Sequence, residues 1–400
     1  MTDKKIAGVI CEYNPFHNGH AYQIREIKQR GYDTVVAVMS GNTVQRGEFA
    51  IADKYTRANA ALLGGVDLVL ELPYPYSSSS TEFFATAGVR ILNAIGVDSI
   101  CFGSENGDVK SLQCAAEICM SEKFEAKYKE LCSSSFGNAS AYFEAYKQIA
   151  GAEMPSGSND ILGIAYLKAI MSEGSSINAE VIRREGSGYR DSAIESCTSS
   201  LPSATMLRNE MLTNGMSDIL KEFMPEGSFY ALRKAQISKQ SIHLERSILS
   251  FFRMAFPSEL SSREISEVGG GLAEKLCKVS HTAQTIDDFK KLAMAGKYTQ
   301  ARINRAILHS MIGATESDVK APPAYTTILG FNSTGRELLG QLRKNSSIPI
   351  VTKPADAPKL SKEAERQSML SFKADALFSL CYDKIRKSAE FTTASPIIIN

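Results

Sequence analysis

The chain has 400 residues, 44% of them apolar and 22% charged, with 45 basic side chains against 44 acidic ones. That length and balance suit a globular protein of two or three domains, and a net charge of +1 excludes a surface that is basic all over, so any face that meets a polyanion has to be local. No run of about 18 apolar residues exists to span a bilayer, and the start Met1–Ile6 lacks the apolar core of a secretory signal.

The first 200 residues alternate strand and helix signals. Short apolar runs without alternation mark strands at Ile6–Cys11, Thr34–Met39, Asp67–Leu72, Ser99–Phe102 and Ala179–Arg183. Between them lie helical stretches at Ala21–Arg30, Asp53–Leu63, Thr81–Ile95, Lys110–Cys132 and Ile161–Met171. Such alternation predicts an α/β fold, a Rossmann-like parallel sheet with right-handed crossovers, whose ligands bind beyond the carboxyl ends of the strands. From about 204 onward the pattern is mostly helical: Thr205–Leu212, Ser241–Met254, Leu272–Lys278, Ile286–Leu292, Gln300–Ile312 and Glu363–Ser379, with short strands at Tyr325–Gly330 and Ile348–Thr352. We therefore expect a nucleotide-binding domain over 1–210 and a mostly helical, RNA-binding domain over 211–400.

The chemistry-bearing residues fall where those strands end. After the first comes Asn14-Pro15-Phe16-His17-Asn18-Gly19-His20, which brings two of the five histidines to the mouth of a helix beginning near Ala21. A helix N-terminus offers unpaired N–H groups and the positive end of a dipole. Two imidazoles added there can donate to a phosphate chain, and Gly19 lets the backbone come close. The arrangement suits attack on the α-phosphate of a nucleotide.

Ser40-Gly41 and Gln45-Arg46-Gly47 follow the second strand as a donor-rich loop. Lys54 and Arg57, on the next helix, either reach phosphate or RNA or form a solvated face. Gly103, at the end of the fourth strand, allows an adenine or ribose to lie on the backbone. Asn159 and Asp160 open a helix, one capping it and the other free to recognise ribose or base. Arg183-Arg184 ends the fifth strand with guanidinium groups suited to phosphate or adenine. Ser203, Thr205 and Arg208 start another helix and suit phosphate oxygens as well as an ordinary cap. Further on, Lys297 and Tyr298 with Arg302 and Arg305 pair basic residues with an aromatic, as an RNA backbone and an unstacked base require.

The eight cysteines, at 11, 101, 114, 119, 132, 197, 277 and 381, are scattered. No CxxC and no zinc-like His/Cys spacing occurs, so we expect reduced thiols, a cytoplasmic protein and no metal cage. Neither a membrane nor DNA is expected as a partner.

Glu12-Tyr13-Asn14-Pro15-Phe16-His17-Asn18-Gly19-His20 resembles the signature of the bacterial tRNA(Met) cytidine acetate ligases, a branch of the nucleotidylyltransferase superfamily with a paired-histidine turn. The likeness continues through Met39-Ser40-Gly41, Gln45-Arg46-Gly47, Gly65–Pro73, Phe102–Glu105, Ile161-Leu162-Gly163, Ser203–Thr205 with Arg208, Lys297–Thr299 with Arg302 and Arg305, and Gly330–Asn332 with Gly335-Arg336. It implies an enzyme that uses ATP, expected with Mg²⁺, to turn acetate into acetyl-adenylate and then acetylates N4 of the wobble cytidine of elongator tRNA(Met). The implied ATP site is Ile10, Cys11, Glu12, Tyr13, Asn14, Pro15, Phe16, His17, Asn18, Gly19, His20, Ala21, Tyr22 and Gln23, with Gly103, Asn159 or Asp160, and Arg183 or Arg184. His17 and His20 are the catalytic pair. Lys54, Arg57, Arg302 and Arg305 are the candidate tRNA contacts.

One departure stands out. The family often carries Asn-Asn where this chain has Asn159-Asp160. An ionised Asp160 would repel a triphosphate, so it suits ribose hydroxyls or a metal better. Two other functions fit the paired-histidine turn: a nucleotidylyltransferase making a dinucleotide or an activated metabolite, and a non-catalytic RNA-binding protein that senses ATP.

Overall fold

The computed structural model describes residues 4–133, 137–183, 203–294 and 298–399. Among these residues ten strands form in chain order: β1 Ile6–Cys11, β2 Thr34–Ser40, β3 Thr43–Val44, β4 Glu48–Phe49, β5 Leu68–Leu72, β6 Ser99–Ser104, β7 Asn178–Arg183, β8 Thr326–Phe331, β9 Ile350–Val351 and β10 Ile397–Ile398. Eight of them make one sheet in the order β10-β8-β5-β2-β1-β6-β7, with β9 beside β8. Neighbours run parallel except β8 against β5. The remaining two, β3 and β4, form a small antiparallel hairpin just past β2.

The order follows from the chain's pattern. Strand β2 is buried along its whole length, and its side chains alternate between two cores. Val36 and Val38 join Leu68, Leu70, Ile100 and Phe102 on one face. Val35, Ala37 and Met39 join Ala7, Val9 and Val69 on the other. A sheet buried on both faces needs helices on both. The helices of the first half are α1 Asn18–Gln29, α2 Lys54–Leu63, α3 Thr81–Ile95, α4 Val109–Cys119, α5 Glu122–Cys132, α6 Asn138–Ala150, α7 Ser158–Ser172 and α8 Ala204–Asn214. The single helix expected over Lys110–Cys132 is instead α4 and α5, because the Ser121 side chain accepts from the Phe124 N–H and starts a new helix.

A third core belongs to the helices Ile242–Met254, Leu272–Ser280, Ile286–Met294 and Gln300–Ile312, closed by Phe378, Tyr382 and Phe391. The sheet, however, crosses the boundary expected at 210. Strands β8, β9 and β10 all come from beyond it, and Leu338, Leu339 and Leu342 of the helix Ser333–Asn345 pack in the first core. Among the described residues no helix is long and apolar enough to cross a membrane.

Candidate active site

Strand β1 ends at Cys11, in the middle of the sheet, and the chain turns through Tyr13–Phe16 into α1. Tyr13, Asn14 and Phe16 bury their side chains and build this turn. The Asn14 Oδ1 accepts the Ile51 N–H at 2.7 Å, and the Asn14 carbonyl accepts from Arg208 Nη1 at 2.8 Å. Helix α1 begins at Asn18, three residues earlier than expected, which places His20 in its first turn.

His17 is the N-cap. Its Nδ1 accepts the Gly19 N–H at 3.0 Å, and the His20 Nδ1 accepts the His17 N–H at 3.3 Å. Together they form a capping box made from two imidazoles. The rings stack with centroids 3.8 Å apart and an interplanar angle of 29°. A β-carbon at Gly19 would sit 2.9 Å from the His17 ring, so the glycine makes room for the imidazole to fold back. Two accepting Nδ1 atoms put the proton of each neutral ring on Nε2, at the N-terminus of α1. A helix N-terminus with such donors favours anionic oxygens.

The rim around the pair is held by buried polar groups. Arg57, fully buried, donates to the carbonyls of Ala52 at 2.9 Å, Glu12 at 2.6 Å, Ser40 at 3.0 Å and Gly41. It therefore ties the end of β1 to the end of β2. Burial brings its guanidinium down to about 10, opposed by Asp53 and Glu12. Lys54, also buried, pairs with Glu71 at 2.8 Å and Asp375 at 3.0 Å. Burial works against this ammonium, but the two carboxylates outweigh it and hold its pKa well above the ordinary lysine range. Burial pushes the Asp375 carboxyl up to about 6, against the pull of Lys54. The expectation that Lys54 and Arg57 contact tRNA is thus corrected. Neither side chain reaches the surface, because each serves as an internal tie.

Asp160, expected to cap α7 or to recognise ribose or base, ties the start of that helix to the loop after β6. Its carboxylate, 3% exposed, accepts from Ser104 Oγ, from the Glu105 N–H at 3.0 Å and from the Asn106 N–H at 3.2 Å. It clamps the loop after β6, chiefly through Oδ1, while Oδ2 accepts only from the Asn106 N–H at 3.2 Å. Glu105 reciprocates, accepting from the Asn159 Nδ2 at 2.7 Å and the Asp160 N–H at 3.2 Å at the start of α7. Sequence reading missed this exchange, because its partners are 54 to 56 residues apart. Gly103 pairs with Ile182, and Ser104 with Arg183. Arg183 is exposed beside them, whereas Arg184 lies outside the described residues.

Ser203 caps α8 by accepting the Met206 N–H at 3.3 Å. Arg208 bridges Thr205 Oγ1 at 3.1 Å and the Asn14 carbonyl, docking α8 against the histidine turn. Ile10 is a core residue, while Cys11, Glu12, Ala21, Tyr22 and Gln23 are half-buried along the rim. Pro15 is buried in the turn itself, and Asn18 donates to the Glu222 carbonyl at 2.8 Å.

In the helical unit, Arg305 is 8% exposed and paired with Glu267 at 2.7 Å, which removes it from a surface role. Arg302 is more open, and it lies 5.3 Å from the Tyr298 ring centroid, with Lys275 at 5.7 Å. Lys297 is outside the described residues.

Comparison with known proteins agrees with this geometry. The HIGH Nucleotidyl Transferase family model matches residues 4–392. The tRNA(Met) cytidine acetate ligase of Acetivibrio thermocellus is 36% identical over 99% of this chain and 100% of its own. That of Clostridium botulinum strain Kyoto is 33% identical over 99% of each. The crystal structure of Thermotoga maritima TmcAL bound with alpha-thio ATP superposes with a TM-score of 0.88 at 30% identity, covering 99% of both chains. With stacked histidines at the carboxyl edge of a parallel sheet and relatives matched from end to end, the chain belongs to the HIGH nucleotidyl transferase family, among the tRNA(Met) cytidine acetate ligases.

Proposed function

We propose that this enzyme activates acetate with ATP and transfers the acetyl group to N4 of the wobble cytidine of elongator tRNA(Met). The observation that carries the reading is the stacked His17–His20 pair, whose Nδ1 atoms are both engaged at the N-terminus of α1. Relatives matched along their whole length carry the name of that activity.

In the first step an acetate oxygen attacks the α-phosphorus. The new O–P bond gives acetyl-adenylate, and the P–O bond to the leaving pyrophosphate breaks. Negative charge gathers on the phosphoryl oxygens and on the departing group. The Nε2–H donors of His17 and His20 and the first N–H groups of α1 stabilise it without moving. Positioning supplies the rest, and no covalent enzyme intermediate is needed.

In the second step the cytosine amine attacks the acetyl carbonyl. The C–N bond forms, the bond to AMP breaks, and the nitrogen loses one proton. An aromatic amine is a poor nucleophile, so a reactive mixed anhydride is the chemical requirement. The base has to leave its stack, as bases of an RNA loop readily do. Arg302, beside Tyr298 and Lys275, is the remaining candidate for RNA contact.

Mg²⁺ is expected to accompany the triphosphate. Among the described residues no group of three histidines, cysteines, aspartates or glutamates is arranged to hold a metal ion, so the protein's own contribution here is its N–H donors. Incubation of tRNA with the enzyme, ATP and labelled acetate, followed by nucleoside mass spectrometry, tests the reading. Labelled N4-acetylcytidine that requires both ATP and acetate is expected. Its absence, with ATP consumed and AMP joined to another acceptor, would contradict the reading.

A further inference from the structure

Between β1 and the histidine pair the backbone passes through one left-handed residue that is not glycine. Tyr13 has φ = 44°, a region that a bulky side chain enters only when its surroundings hold it there. Its ring is 1% exposed. It meets Phe16 edge-on at 4.8 Å between centroids, and His20 edge-on at 4.9 Å. Phe16 lies 5.5 Å from the same imidazole. His20 is therefore seated among Tyr13, Phe16 and the stacked His17, and its place follows that of Tyr13.

The turn is gripped from other elements. Arg57 Nη1, on α2, donates to the Glu12 carbonyl at 2.6 Å. Arg208 Nη1, on α8, donates to the Asn14 carbonyl at 2.8 Å. Those two carbonyls flank Tyr13 in the chain, so a guanidinium holds the backbone on either side of the left-handed residue. The Ile51 N–H takes the Asn14 side chain at 2.7 Å, and the next residue, Ala52, gives its carbonyl to Arg57 Nε at 2.9 Å.

Both grips need an arginine. Arg57 is fully buried, and among the described residues its hydrogen-bond partners are all carbonyl oxygens, those of Glu12, Ser40, Gly41 and Ala52. A rigid planar fork of N–H donors can serve such a set, and a single ammonium cannot. Arg208 is half-buried, and its second nitrogen donates to Thr205 Oγ1 at 3.1 Å, so it spans α8 and the turn.

We infer that Arg57 and Arg208 are positioning residues for the histidine pair. By holding the carbonyls on either side of Tyr13 they fix its left-handed backbone, and through its ring they fix the His20 imidazole against His17. Neither guanidinium has to touch a substrate in this role. The effect on rate rests on the phosphoryl-transfer reading above, whereas the placement of the rings can be read without it.

Arg57→Lys and Arg208→Lys, made in the full-length enzyme, test this. Each keeps the charge and loses the fork. The kcat of acetate-dependent ATP–pyrophosphate exchange should fall at least about tenfold, because a small misplacement of the reacting geometry is costly. KM for ATP should stay within about twofold, as donors that act in the transition state leave ground-state binding alone. In a His20→Ala background the loss should vanish, since residues that act through one another are not additive. Additive losses would make the arginines merely structural and overturn the inference. An unchanged kcat would do the same. So would a raised KM with kcat kept, which would assign Arg208 to the triphosphate.

Ring-nitrogen NMR reads the clamp without turnover, and the half-buried Arg208 carries this test even where Arg57→Lys fails to fold. In wild type His20 should show one tautomer, with its proton on Nε2, and in Arg208→Lys that signature should be lost. His309 is the internal control. Its Nε2 lies 3.0 Å from the Ser78 carbonyl, which only accepts, so its Nε2 carries the proton and its Nδ1 accepts from the Tyr74 hydroxyl at 2.8 Å. An unchanged His20 signature, or loss of the His309 signature along with it, would overturn the inference. Failure of the ligase reading looks different. Wild-type enzyme would then show no acetate-dependent exchange, while the His20 signature would still respond to Arg208→Lys.

Discussion

Replacing His17 by alanine removes two things at once: a helix cap and the imidazole Nε2–H. The two separate by choice of substitution. His17→Ala should cost about 1 kcal/mol of stability, the usual value of a lost N-cap. His17→Asn keeps an oxygen able to accept the Gly19 N–H and should restore it, as read by urea denaturation. A second residue-scale prediction concerns Lys54, set between Glu71 and Asp375. Lys54→Met strands two buried carboxylates and should destabilise the fold by about 3–5 kcal/mol. The same cluster gives a pH dependence. Burial raises the Asp375 carboxyl from 3.8 to about 6. The folded state therefore holds that proton more tightly than the unfolded chain. Its stabilising contribution is complete below about pH 4 and is lost as the pH rises through about 6. Unfolding free energies measured across that window should fall for wild type relative to Asp375→Asn. A flat difference between the two would refute the assignment.

Element by element, the rim of the sheet depends on loops clamped from a distance. Asp160, on α7, gathers the Ser104 hydroxyl and two N–H groups of the loop after β6. Asp160→Ala should release that loop and weaken ATP binding measured by calorimetry, while Asp160→Asn, which keeps one oxygen, should weaken it less. Equal affinities for all three proteins would show that the loop does not shape the nucleotide site. The five strands of the first half that the sequence predicts were legible, whereas the two-residue strands β3, β4 and β10 were not. Ile6–Cys11 appears as expected, and the others shift by only a residue or two, because continuous β-branched runs admit few other readings. The histidine turn was legible too, since both imidazoles lie in one local motif. Lys54 and Arg57 were not. A cation on a helix looks solvated until its partners are known, and those of Lys54 include a carboxylate 321 residues away. The helix Ser333–Asn345 was passed over for a related reason. Its packing surface, Leu338, Leu339 and Leu342, is only three residues wide.

At the scale of the whole molecule, the sheet is completed late in the chain. β8 pairs antiparallel with β5, and a β-carbon at Gly335 would lie 2.1 Å from the Asp67 carbonyl oxygen, so the following helix is pressed onto the same layer. A fragment ending at residue 210 would leave β5 as an open edge with its core face uncovered. It should therefore bind hydrophobic dyes and lack near-UV dichroism, where the full chain does neither; a rigid, soluble fragment would contradict this. The helical unit meets the first half at the loop after β2, where Asn304 and Arg305 donate to the Arg46 and Gln45 carbonyls. The most direct test of the proposed chemistry is acetate-dependent ATP–pyrophosphate exchange in wild type and His17→Asn, two proteins matched in stability. Exchange in wild type and a loss of about 10²–10³-fold in the variant are predicted. Equal exchange in both would mean that the stacked imidazoles do not stabilise the transferring phosphate.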